Sequence, residues 1–180
     1  ARAIVTAGGY VMITGRSLDQ VDAVVRSLAD LAGDPARVSG AAVDARDSAG
    51  AAALVAETVR RFGGLDVLVN NAGIGIFEDI ASMSDADWDR TIATNLSGVF
   101  YCTRSAIPAM KQSGGGWILN IASLAGRNYF PRGAAYCASK AGLVAFSESL
   151  MQEVRYDNIR VSVIMPGSVA TDFGGTAPGE

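Results

Sequence analysis

Histidine is absent from this 180-residue chain. A Ser-His-Asp hydrolase is thereby excluded, and any proton transfer falls to tyrosine, lysine or carboxylates. Cysteine is scarce as well. Cys102 and Cys137 stand alone, without the spacing of a metal site, and read as small core residues in a reducing, cytoplasmic setting. No metal is expected. Positive charge is also short, with 15 Lys and Arg against 18 Asp and Glu, for a net charge of −3. With no basic run, the chain lacks the electrostatic footprint of a nucleic-acid binder. No apolar run approaches the roughly 18 residues of a membrane span, and no charged-then-apolar leader opens the sequence, so neither membrane nor secretion is expected.

Hydrophobic residues make up 49% of the sequence, and a chain of this length can bury a substantial core. One domain over residues 1–180 is expected. Short apolar runs alternate with helix-periodic segments, the pattern of an α/β fold with a parallel sheet. Helical spacing covers 18–31, closed by Gly33-Asp34-Pro35, and again 48–62, closed by Gly63-Gly64. Residues 85–111 read as a helix in two pieces, and 134–156 as one long helix. Strands are expected at 37–44, 65–73, 115–123 and 159–167; the run "LDVLVNNAG" is continuous enough for a strand buried on both faces.

The opening "RAIVTAGGYVMITGRS", residues 2–17, reads as two further strands with only Gly8 and Gly9 between them. Parallel neighbours need a crossover of about a dozen residues or more. Either a turn and helix are missing at the Gly9–Tyr10 seam, or the two glycines make a hairpin between antiparallel strands.

Chemistry concentrates in "SLAGRNYFPRGAAYCASK". Ser123 follows a strand, at the end where open α/β sheets hold ligands. Tyr136 lies near the start of a helix, and Lys140, four residues on, shares its face. A nearby ammonium favours phenolate, so such a tyrosine can trade a proton with an alcohol or carbonyl oxygen that Ser123 polarises. A bare Y-x-x-x-K is otherwise a common surface pair.

Together with "NNAG" at 70–73, "NLSGVF" at 95–100 and "PGSVATDF" at 166–173, this spacing resembles the short-chain dehydrogenase/reductase family from about residue 11 to 173. Within the family it looks most like the β-ketoacyl-carrier-protein reductase and sugar dehydrogenase branch. The resemblance implies a Rossmann-like doubly wound parallel sheet. It implies a catalytic set of Ser123, Tyr136, Lys140 and Asn95, the last anchoring a water in a proton relay. A cofactor would touch Asn71, Ala72, Gly73, Tyr136, Lys140, Pro166, Gly167 and Thr171, with Asp44 capping the adenine. Thr6 and Gly8 would open the phosphate turn.

At the end of the second strand, where an acidic residue would bond the ribose of NAD, stand Gly15 and Arg16, which suit the 2′-phosphate of NADP(H) over NAD(H). Two departures from the family pattern stand out: the Gly-rich turn with its first helix, and the C-terminal strand, are lacking. The expected function is interconversion of a small-molecule secondary alcohol and ketone by a homodimer or homotetramer. The alternative is a degenerate member that binds no cofactor and serves as an oligomerising module. Ala125, Asn128, Tyr129, Phe130 and Arg132 are the expected pocket residues.

Overall fold

The structure is a computed structural model and describes residues 1–169 and 173. Its strands are β1 (Val11–Gly15), β2 (Val38–Ala42), β3 (Val67–Asn70), β4 (Gly116–Ile121) and β5 (Ile159–Ile164). The helices are α1 (Arg2–Thr6), α2 (Leu18–Ala32), α3 (Ser48–Phe62), α4 (Asp85–Ile92), α5 (Gly98–Gln112) and α6 (Ala134–Val154). Local chemistry sets their ends. Ser17 accepts from the Gln20 amide ahead of α2, and Gly33 closes that helix at φ 66°. Asp47 and Gly63 bracket α3 in the same way, and Ser84 caps α4.

All pairing is parallel. β1 pairs with β2, and β3-β4-β5 form a second sheet. Numbered by a doubly wound order of 3-2-1-4-5-6, these blocks are 3-2 and 4-5-6. The position between them, where the strand order reverses, holds no strand among the described residues. Each sheet has its own core. Val5, Val11, Leu28 and Val38 fill the first, while Met110, Ile118, Leu150 and Val161 are among the side chains of the second.

Two expectations need correction. The opening segment is not a strand: Arg2–Thr6 is the helix α1, so neither a strand pair broken at the Gly9–Tyr10 seam nor a glycine hairpin is present. The β-branched run "IVT" suggested a strand, but tertiary packing decides otherwise. Val5 buries against β1, β2 and α2, and the Arg37 guanidinium donates to the Val5 and Gly9 carbonyls at 2.7 and 2.9 Å. Gly8, at φ 89°, turns the chain out of the helix. Nor is β3 covered on both faces: Val67 and Val69 are 42% and 45% exposed, beside the empty central position.

Candidate active site

Each strand delivers a candidate residue from its carboxyl end, where open α/β sheets bind ligands. Arg16 follows β1, Asp44 follows β2, Asn71–Gly73 follow β3, Ser123 follows β4, and Pro166 and Gly167 follow β5. Ser123 starts a short 3₁₀ turn, its Oγ accepting from the Ala125 amide at 3.1 Å. That leaves its own proton to donate. Leu124 N donates to the Pro166 carbonyl at 3.0 Å, tying this turn to the loop after β5. Gly126 presses the turn onto α6, for a Cβ there would lie 3.0 Å from the Lys140 carbonyl oxygen. Ser123 is thus held against the helix that carries Tyr136 and Lys140.

Lys140 is only 4% exposed. Its Nζ donates to the Ile121 carbonyl at 2.8 Å and lies 5.7 Å from the centre of the Tyr136 ring. Burial disfavours the ammonium and lowers its pKa to about 8. Gly73 lies beside it: a Cβ there would sit in ordinary contact, 3.5 Å from Nζ and 3.4 Å from Asn95 Oδ1.

Asn95 is fully buried in a π-helical turn, Ala93–Ser97, between α4 and α5. Such turns often mark functional sites. Its Oδ1 accepts from Ile74 N at 2.8 Å, and its Nδ2 donates to Ile74 O at 2.9 Å and Ser139 Oγ at 3.0 Å. Both amide hydrogens are committed, so the side chain brackets the β3–α4 loop against α6. Beneath it, Asn70 donates to Thr103 and Asn120, and Asn120 donates to Ser147, bracing β3 and β4 against α5 and α6.

At the far end of the site, Arg46 grips Asp44 through Nε and Nη2, the shortest contact being 2.6 Å. This bond, with Arg16 adding at longer range, holds the Asp44 carboxyl down at about 2. Arg16 has no ion pair of its own among the described residues.

The site thus gathers Ser123, Tyr136, Lys140, Asn95, Asn71, Ala72, Gly73, Pro166 and Gly167 at one end, with Arg16 and Asp44 at the other. Thr171 lies outside the described residues. Thr6 and Gly8 are corrected: they sit in and just after α1, not on a strand-to-helix turn, and make no phosphate cradle. For a dinucleotide, the residues present fit at the two ends: the buried Lys140 ammonium beside Gly73, and the cation of Arg16, which has no ion pair among the described residues. A Gly-rich turn for the pyrophosphate is not found among the described residues. Of the expected pocket, Ala125 packs on Tyr136, and Tyr129, Phe130 and Arg132 line a cavity of about 670 Å³ whose lining does not include Ser123, Tyr136 or Lys140. Sequence reasoning missed Ser139, Arg46, Phe77 and the backbone partners Ile74 and Ile121; only Ser139, three residues after Tyr136, carried a sequence signal.

Parallel sheets covered by helices, with these groups at the carboxyl ends of their strands, define an α/β protein of the doubly wound kind. The chain belongs to the short-chain dehydrogenase family, whose family model matches residues 1–178. It is 37% identical over 166 residues to the 3-oxoacyl-[acyl-carrier-protein] reductase FabG of Chlamydia pneumoniae, covering 92% of this chain and 66% of that protein. A metagenomic short-chain oxidoreductase solved with NADP superposes with a TM-score of 0.87 at 39% identity, over 94% of this chain and 76% of the other. An alcohol dehydrogenase from Thermococcus sibiricus, complexed with 5-hydroxy-NADP, does so at 0.92 and 27% identity, over 99% and 74%. The chain spans about two thirds of the length of the curated relatives it matches. Among the described residues, no helix is long and apolar enough to cross a membrane.

Proposed function

We propose that this protein is an NADP(H)-dependent oxidoreductase that interconverts a secondary alcohol and a ketone. The convergence of Ser123, Tyr136 and Lys140 behind β4 and along α6 carries the reading. A nicotinamide, when bound, supplies or accepts the hydride. In the reducing direction the Tyr136 hydroxyl gives its proton to the carbonyl oxygen, while the Ser123 hydroxyl donates a hydrogen bond to the same oxygen. Lys140 Nζ lies 5.7 Å from the centre of the Tyr136 ring, which sets its positive charge beside the reacting group. Gly73 lies next to Nζ, where a ribose would be held by the lysine's remaining donors. Asn95 holds that loop in place, with a relay water as its further role.

Arg16 supports NADP(H) over NAD(H): it stands free where a 2′-phosphate would sit, while Asp44 is neutralised by Arg46. Exposed Phe100 on α5 and Met151 on α6 support self-association into a homodimer or homotetramer. The free thiols Cys102 and Cys137 suit a reducing cytoplasm.

The empty position between β1 and β3 favours a second reading, an oligomerising module that binds no cofactor. Titration with NADPH, followed by nicotinamide fluorescence, separates the two. Saturable binding, with turnover of a ketone panel that disappears in Tyr136→Phe, supports the enzyme. Absence of binding supports the module, and full activity in Tyr136→Phe overturns the proton assignment.

A further inference from the structure

Beside Tyr136 stands a wall of aromatic rings that proton transfer does not use. Phe77, in the β3–α4 loop, meets the Tyr136 ring edge-on, with centroids 5.6 Å apart and planes at 75°. Phe130, ahead of α6, leans on Phe77 at 5.7 Å. Two glycines make room for these rings. A Cβ at Gly75 would come within 2.7 Å of Phe77 Cζ, and one at Gly133 would overlap the Phe130 ring edge. The two loops are also laced together: Glu78 N donates to the Arg132 carbonyl at 2.8 Å, and Arg132 Nη2 donates to the Phe77 carbonyl at 3.3 Å. Arg132 holds this geometry at φ 65°, a left-handed backbone uncommon for a residue with a side chain.

A ring cluster made only for stability would be buried, yet Phe77 and Phe130 remain 41% and 42% exposed. Leaving apolar area in water forgoes the stabilisation its burial would supply. The loop reaching Phe77, "GIGIF", offers no polar side chain, whereas the polar neighbours Glu78, Asp79, Tyr129 and Arg132 line the cavity onto which Phe130 also opens. A flat apolar group would stack or meet the rings edge-on, as aromatic pairs do.

We propose that Phe77 and Phe130 form a binding wall for a planar ring carried on the reacting carbon, so that the substrates are aryl or fused-ring ketones and their secondary alcohols. This rests on the oxidoreductase reading above.

The test compares acetophenone with 2-butanone, which presents a methyl ketone without the ring. Two readouts serve: kcat/KM with NADPH, and saturation-transfer NMR of ketone binding without turnover. The wild-type protein is expected to favour acetophenone by about tenfold or more, the scale on which an apolar pocket discriminates. Phe77→Ala and Phe77→Leu are expected to shrink that ratio, the leucine variant keeping apolarity but losing the flat ring, with thermal unfolding confirming that both variants fold. A ratio near one in the wild type, or one unmoved in both variants, overturns the proposal. Saturation transfer to acetophenone that weakens in Phe77→Ala, in a protein with no turnover of any ketone, upholds the wall and overturns the reaction instead.

Discussion

The Lys140 ammonium donates to the Ile121 carbonyl at 2.8 Å, joining the middle of the site helix to the last residue of β4. The bond fixes the side chain along the helix face shared with Tyr136, one turn earlier. It also holds a charge where burial lowers the pKa to about 8, against 10.5 when free.

That difference gives a stability slope of defined sign. Between about pH 8 and 10.5 the unfolded chain holds a proton that the folded chain has released, so stability rises with pH across this window. Full deprotonation is worth on the order of 3 kcal/mol relative to pH below 8. Burial raises the Cys102 thiol pKa and gives an opposite slope at the alkaline end. Urea unfolding of the wild type against Lys140→Met cancels that contribution. The wild type should gain stability relative to the variant between pH 8 and 10; parallel curves would show that the buried lysine does not titrate there.

Arg16 yields a change of cofactor preference. It carries a free positive charge at the end of β1, while the neighbouring carboxylate of Asp44 is held by Arg46. In Arg16→Glu, a carboxylate replaces the phosphate-binding cation and can accept from a ribose 2′-hydroxyl. NADPH affinity should fall by roughly tenfold to a hundredfold, the value of one charge-assisted contact. NADH affinity should hold or improve. Fluorescence titration with the two nucleotides measures both, and equal losses would place Arg16 elsewhere than at the 2′ position.

How far the sequence foretold this arrangement depended on the range of the deciding contact. Helix limits set by near neighbours were readable, as with Ser17 and Gly33 around α2 or Asp47 and Gly63 around α3. So was the grouping of Ser123, Tyr136 and Lys140, because strand ends and helical spacing fix it. Contacts from distant parts of the chain were not. The helix at Arg2–Thr6 depends on Arg37, 32 residues beyond Val5, and on packing against two strands. The exposure of Val67 and Val69, which share one face of β3, depends on what packs over that face, a property of the tertiary arrangement rather than of the run "LDVLVNNAG". Ile74 and Ile121 serve through their backbone atoms, which no side-chain pattern announces.

Asn95 provides a test of the loop's support. Replacing it with Ala leaves the Ile74 amide and carbonyl without their partner and removes a donor to Ser139. Each buried group left unpaired costs about 1–3 kcal/mol. Asn95→Ala should therefore lose about 2–4 kcal/mol in urea unfolding, with faster hydrogen exchange at Ile74. A loss below about 0.5 kcal/mol, the level of an ordinary surface change, would show that the bracket is replaced by water.

Arg37 does the same for the first sheet. Its guanidinium donates to Val5, Gly9 and Ala32, carbonyls near the ends of α1 and α2 that have no further turn of helix to bond. It also lies 6.0 Å from the centre of the Tyr10 ring. The five residues of α1 are far too few to be helical alone, so this cap and the burial of Val5 must hold them. Arg37→Ala should release α1 and speed hydrogen exchange at Ala7, Gly8 and Gly9, whose amides bond back into the helix. Arg37→Lys should rescue little, because one ammonium cannot span three carbonyls as a planar fork does. Protection at these amides that survives both substitutions would assign α1 to hydrophobic packing alone.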